Sequence, residues 1–384
     1  MSSDLTSSHV SFAAHGRNTV TCLEFNADWI ITASDDCTIN VYHTATTKLH
    51  ATLRGHGGVW TLGFIGKTLV SGSIDSTVRV WDIERAKCTH VFSCRTSPIR
   101  CLRILQPVTT GRDPLLEPSY PIIVTGSRDG SIRVWRLPDL ERDAPEYLAD
   151  DLPEAENSQF FLRALLGHTN TVRDISGHGN LLVSGSYDSS VYVWKIDTGK
   201  CIFRLVGHKA KVYSVVIDSK RSRCISGSMD CSVKVWSLDS GSCLYTLEGH
   251  TNLVGLLGLY EDILVSASAD STLRVWDAES GRCLHELAGH VGAITSFQHN
   301  DKIVISGSTD TIKMWNIRTG KFVEDLISDL HRVWQLKFDN QRCVAAVQRE
   351  SFTFVEVVVS FDDITGVIRE KIKDCALGSL SAPS

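Results

Sequence analysis

At 384 residues the chain is long enough for two domains by the usual prior, yet its 39 basic and 44 acidic residues leave a net charge of −5, too little positive charge for a domain that tracks a nucleic-acid backbone. Its twelve cysteines are scattered with no Cys-x-x-Cys pair, there is no secretory leader, and no apolar run is long enough to span a membrane. These features exclude a disulfide scaffold and a membrane span and point to a reduced setting, nucleus and cytoplasm.

In chain order, residues 1–9 are expected to be a disordered N-terminus and Val10–Ala14 a strand. Thr32-Ala33-Ser34-Asp35-Asp36, followed by Tyr42, opens a pattern that then repeats six times with Trp in the Tyr position. The copies are Ser71–Asp75 with Trp81, Thr125–Asp129 with Trp135, Ser184–Asp188 with Trp194, Ser226–Asp230 with Trp236, Ser266–Asp270 with Trp276, and Ser306–Asp310 with Trp315. Gly-His precedes five of them, at His56, His168, His208, His250 and His290. Runs such as Val78-Arg79-Val80-Trp81, β-branched and bounded by turn residues, read as strands. A Trp spacing of 39 to 42 residues between the later copies suits one four-stranded unit of a radial repeat.

After the last copy, Val333–Leu336, Cys343–Val347 and Phe352–Val357 supply three strands without the signature, and Val10–Ala14 is the candidate for the fourth. The expected fold is therefore all-β, an eight-bladed propeller over residues 10–361 closed by an N-terminal strand, with a flexible tail over 362–384. Two insertions interrupt blade three, at 106–120 and 138–157. Within the second, Pro138–Glu156 holds eight acids against one base, so the rest of the chain carries +2. That stretch reads as a solvated loop, on the same face as the first insertion.

Two positions per blade should face the funnel on the opposite face: one at the start of the first strand and one just before the signature Asp. Blade by blade they read Thr21 and Asp35, Trp60 and Ile74, Arg100 and Arg128, Arg173 and Tyr187, Tyr213 and Met229, Gly255 and Ala269, Thr295 and Thr309, then Trp334. Arg100, Arg128 and Arg173 converge on two adjacent blades with no acid among their neighbours. Guanidinium groups gathered in this way need an anion, and their fork geometry suits phosphate. Trp60 beside Ile74 offers a platform for a proline ring, and Tyr187 and Tyr213 form the far wall.

The repeat resembles the WD-repeat family over nearly the whole chain. Gly57–Trp60, Ile99–Cys101, Thr125–Asp129, Thr171–Arg173, Ser184–Asp188, Lys211–Ser214 and Val254–Leu257 are similar to the propeller of the cell-division-control F-box/WD-repeat proteins, substrate receptors of SCF ubiquitin ligases. The resemblance implies a phosphodegron reader. Arg100, Arg128 and Arg173 would hold a phospho-Thr or phospho-Ser, Trp60 would pack on the proline that follows, and Tyr187, Tyr213 and Trp334 would complete the groove. Implied partners are phosphorylated Ser/Thr-Pro proteins such as cell-cycle regulators, and the SCF core only if an F-box is supplied elsewhere, since residues 1–9 cannot hold one. The chain departs from the receptors at Ile74, Ser76 and Pro98, and at Ser93-Cys94 in place of Gly-His in blade three.

An enzyme is not expected. The sets His56/Asp75/Trp81, His168/Asp188/Trp194, His208/Asp230/Trp236 and His250/Asp270/Trp276 are too alike to be catalytic and read as a structural relay in each blade. No phosphate loop, metal-ligand spacing or nucleophile elbow is present, so no cofactor or metal is expected. A three-arginine patch is also too narrow for nucleic acid. The alternative is a scaffold or phosphopeptide adaptor without ligase association.

Overall fold

A computed structural model describes residues 8–94, 97–109, 116–143 and 158–359. Eight four-stranded antiparallel sheets follow one another around a ring. The first strands of the blades, which form the inner wall, are Val20–Phe25, Val59–Ile65, Ile99–Leu105, Val172–His178, Val212–Asp218, Val254–Tyr260, Ser296–His299 and Arg332–Phe338. Blade eight is completed by Ser8–Ala13, which pairs antiparallel with Phe352–Val359. The closing strand starts two residues before the expected boundary, so residues 8 and 9 belong to the ring and not to a disordered leader. Residues 1–7, 144–157 and 360–384, where the rest of the expected N-terminus, acidic loop and tail fall, lie outside the described residues.

Apolar cores fill the seams between successive blades. Cys101, Ile122, Val124 and Val134 of blade three, for instance, pack with Val172, Ile175 and Trp194 of blade four. The seams explain the Gly of the signature. A methyl group on Gly126 would meet Cys101 Sγ at 2.6 Å and Val172 Cγ1 at 2.7 Å, and one on Gly307 would meet Val333 Cγ1 at 2.5 Å. Only the smallest residues leave room for the neighbouring blade's branched side chain. Polar links tie the inner strands as well: Lys337 Nζ of blade eight donates to both oxygens of Glu24 of blade one, at 3.0 and 2.9 Å.

Inside each blade the repeated polar residues satisfy one another. His208 meets Ser226 Oγ at 2.8 Å and Asp230 at 2.8 Å, and Trp236 Nε1 donates to the same Ser226 Oγ at 2.8 Å. The sets centred on His56, His168 and His250 are built alike, with Ser71, Ser184 and Ser266 at the junction. A buried network of this kind fixes ring orientation without leaving a donor unmade. Blade one has its own version, in which His15 joins Thr32, Thr38 and Asp36.

Two blades depart. In blade seven His290 keeps Ser306 at 2.8 Å, but Asp310 begins a strand at φ 76 and forms no bond to it. In blade three, where Cys94 stands in the His position, aromatic packing replaces the relay. Phe92 stacks on Trp135 at 4.8 Å and 9°, with Phe161 edge-on to Trp135 at 5.2 Å and Phe160 beside Phe92 at 5.7 Å. Trp135 Nε1 has no partner among the described residues.

Both insertions of blade three leave from the end of the ring where the inner strands finish, and Leu137 N donates to Pro121 O at 2.9 Å where they meet. Val108–Thr109 and Leu116–Glu117 form a short ribbon. The described start of the acidic insertion is pinned by Arg136–Asp143 at 2.9 Å and by a Lys67–Glu141 ion pair.

Candidate functional site

The funnel lies at the opposite end, where the inner strands begin. Seven of the eight inner strands break register with the second strand at one residue: Thr21, Trp60, Arg100, Arg173, Tyr213, Gly255 and Trp334 are each skipped in the ladder. A skipped residue is a β-bulge, which turns its side chain out of the alternation of the strand. Here the bulge falls, in each of those seven blades, at the funnel end of the inner strand.

The second ring of positions is held by the backbone. The amides of Asp35, Ile74, Arg128, Tyr187, Met229 and Ala269 donate to the carbonyls of Thr19, Gly58, Pro98, Thr171, Lys211 and Leu253, each two residues before the bulged one. Arg128 is thereby placed between its two partners: its amide bonds Pro98 beside Arg100, and its carbonyl accepts from Thr171 Oγ1 beside Arg173, at 3.2 Å.

The side chains of blades two to five converge. Arg100 Cζ lies 5.4 Å from the Trp60 ring, and Arg173 Cζ 5.8 Å from the Tyr213 ring. Tyr187 and Tyr213 pack at 5.2 Å. Burial, and then the like charge of Arg173, lowers the basicity of Arg100 from its ordinary value. Burial, reinforced by Tyr187, raises the Tyr213 phenol, which therefore stays protonated and able to donate. Among the described residues no carboxylate pairs with Arg100, Arg128 or Arg173, and Arg173 Nε is buried without a partner. Ile74 is 42% exposed beside Trp60, and Met229 is 51% exposed beyond Tyr213.

Trp334 stands apart. Blade eight is four blades from blade four, and the cation stacked on Trp334, at 4.8 Å, is Arg332 of its own strand. Among the other first positions, a methyl on Gly255 would meet nothing within 4 Å, and Thr21 and Thr295 turn their hydroxyls to the carbonyls of Val59 and Val333. The sequence reading missed two residues. Lys211 Nζ sits 4.8 Å over the Tyr187 ring, a fourth cation on the rim. Gln348, in register with Arg332, is the second funnel position of blade eight. The signal for Lys211 was its place two residues before Tyr213, equivalent to Gly58, Pro98 and Thr171.

The relay carboxylates have a different character. Burial opposes ionisation of Asp230 and Asp270, but hydrogen bonds from Ser232 and Thr272 and from backbone amides outweigh it and push both down to about 2. In Asp75 and Asp188 the same opposition to burial, led by His56 and His168, holds the carboxyl well below the usual range. These groups are consumed in holding turns, and among the described residues no group of three His, Cys, Asp or Glu could hold a metal ion.

Comparison with known proteins places these features. The family described as "WD domain, G-beta repeat" matches residues 6–43, 47–82, 86–136, 159–195, 199–237, 241–277 and 281–316. WD repeat-containing protein pop2 of Schizosaccharomyces pombe is 50% identical over 358 residues, covering 91% of this chain and 51% of its own length. Cell division control protein 4 is 46% identical in Candida albicans, with 91% of this chain and 52% of that protein covered. The Saccharomyces cerevisiae protein of the same name is 39% identical, with 90% and 46% covered. The chain thus spans about half the length of the curated relatives it matches. Among solved structures, the computationally designed Ika8 protein superposes with a TM-score of 0.73 at 28% identity, covering 91% of this chain and 98% of that one.

Proposed function

The chain belongs to the WD domain, G-beta repeat family, as a propeller homologous to pop2 and the cell division control proteins 4, and from that footing we propose that its funnel binds phosphorylated Ser/Thr-Pro segments. One observation carries the reading: Arg100, Arg128 and Arg173 are gathered on adjacent blades without a carboxylate among the described residues, beside two phenols and an indole. An arginine cluster of this kind is the recurring solution for phosphorylated motifs. The phosphate oxygens would accept from the three guanidinium groups and from the Tyr187 and Tyr213 hydroxyls, and the proline that follows would lie on Trp60 and Ile74.

In the receptors that the sequence resembles, such a propeller presents its ligand to an SCF-type ubiquitin ligase for degradation. We extend that role to this chain, with cell-cycle regulators as substrates in nucleus and cytoplasm and with ligase contact supplied outside the propeller. The test is binding of a Leu-Leu-phosphoThr-Pro peptide, its unphosphorylated twin, and both against Arg128→Ala. Charge-assisted hydrogen bonds contribute about 1.5–3 kcal/mol each, so the variant should lose about tenfold or more in affinity. Equal binding of the phosphorylated and plain peptides would sink the proposal.

A further inference from the structure

We infer that Thr171 is a positioning residue of the phosphate site: through a contact that crosses from blade four to blade three, it presets Arg128 for the anion. The inference rests on the phosphopeptide reading above and adds the device that readies one of its arginines. Of the three, Arg128 is the one without a ring to lie on. Arg100 packs over Trp60 and Arg173 over Tyr213, whereas Arg128 is exposed and its guanidinium has no partner among the described residues. Its direction is therefore set by the backbone that carries it.

That backbone lacks the anchor used elsewhere. Asp75, Asp188, Asp230 and Asp270 each meet a relay histidine and accept from the amide of the residue after it. In those blades the turn that carries the second funnel residue is thus fixed within its own sheet. Blade three has Cys94 at the histidine step, and Asp129 Oδ1 accepts from Ser131 of its own turn, from the amide at 2.8 Å and the hydroxyl at 2.6 Å. A further anchor comes from the next blade, where the buried Thr171 donates its Oγ1 proton to the Arg128 carbonyl at 3.2 Å. Of the residues at the same step of the other blades only Thr19 has a hydroxyl, and it makes no such bond among the described residues.

Gly130 completes the contact. The left-handed turn residue at this step is Cys37, Ser76, Ser189, Cys231 or Ser271 in other blades, at φ 67 to 71, but Gly130 at φ 89 in blade three. A methyl group there would meet His168 O at 2.6 Å and Asn170 O at 3.1 Å, so glycine is what lets the turn seat against the loop that enters blade four. That loop is itself tied down: His168 and the Thr169 amide share Asp188 Oδ2 at 2.8 and 3.0 Å, and Ser186 Oγ donates to Asn170 O at 2.9 Å. Thr171 O also accepts from the Tyr187 amide at 2.9 Å, and Thr171 stands two residues before Arg173. One residue thus registers Arg128 against the two groups across the seam, and donors held in register bind without the cost of ordering them.

The experiment is fluorescence anisotropy with the whole chain and labelled Leu-Leu-phosphoThr-Pro peptide, beside its unphosphorylated twin. The proteins are wild type, Thr171→Val, Thr171→Ser, Arg128→Ala and the double variant Arg128→Ala with Thr171→Val. Valine keeps the shape of threonine and removes the hydroxyl, and serine keeps the hydroxyl. Thr171→Val should lower affinity for the phosphorylated peptide about three- to tenfold, the worth of one neutral hydrogen bond, while Thr171→Ser stays within about twofold of wild type. Starting from Arg128→Ala, the valine change should cost nothing further, because its effect runs through Arg128. No loss in Thr171→Val, an equal loss in both backgrounds, or a loss that serine shares overturns the positioning role and leaves the phosphate site standing. Equal binding of the two peptides by the wild-type chain overturns the phosphopeptide reading, and this inference with it.

Discussion

His290 is the relay histidine whose carboxylate partner is missing, and that defect makes the stability of the ring measurably pH-dependent. Its Nε2 keeps Ser306, but its Nδ1 faces only Thr311 Oγ1 at 3.5 Å. Burial, and then the charge of Lys313, lower its pKa from 6.5 to about 4. Because the folded value lies below the unfolded one, the unfolded chain takes up a proton first as pH falls. The contribution to stability is complete above about pH 6.5 and is lost progressively until about pH 4. At 1.36 kcal/mol per pH unit the loss is about 3 kcal/mol. Urea unfolding of the wild-type chain and of His290→Asn, at about pH 7.5 and about pH 4, isolates the effect. His15, His56, His208 and His250 are also lowered by burial, but they titrate in both proteins and cancel in the difference. The stability gap between the two proteins should close by about 3 kcal/mol on going to the lower pH. Parallel pH profiles would refute the reasoning.

Phe92→Ala should destabilise blade three by about 3–5 kcal/mol, read as a fall in thermal midpoint, because the stack on Trp135 stands where other blades have a relay; a loss below about 1 kcal/mol would show that blade three does not depend on it. Glu356, buried in the closing blade, bonds Arg349 at 2.9 Å and His9 at 2.7 Å. Arg349→Met leaves Glu356 with His9 alone and should cost about 1.5–3 kcal/mol, and adding Glu356→Leu should recover most of it, since the penalty lies in the half-paired carboxylate; denaturant midpoints of the three proteins check both.

The architecture was legible because a signature that recurs seven times makes each residue comparable with its counterparts. Even the blade without a signature could be placed, since its strands Arg342–Arg349 and Phe352–Val359 are dense in Val and Ala and a ring must close. The funnel positions were legible for a related reason. Every bulge falls at the same step of the motif, so Trp60, Arg100 and Arg173 could be aligned without coordinates. What could not be read was substitution of one kind of contact for another. His15 precedes its Gly where the other relay histidines follow theirs. The Phe92–Trp135 stack joins residues from two blades, which no spacing rule connects. Lys211 belongs to a third register that carries Gly, Pro or Thr in the preceding blades and so gave no pattern to follow. Trp334 entered the groove only through the resemblance; the ring sets its blade four steps from blade four, with Arg332 of its own strand stacked on it.

The closing blade has a consequence in time as well as in space. Ser8–Ala13 pairs only with Phe352–Val359, so the first strand of the ring to be made is among the last to find its partner. At about 5–20 residues per second the interval is on the order of tens of seconds. Throughout it, the outer edge of the unfinished blade and its alternating Val10 and Phe12 are unsheltered, and seven blades must wait on the eighth before the circle can shut. Synthesis that stalls short of Phe352 yields an open arc whose two ends are both adhesive, and such arcs are the species on which chaperones and quality control would act.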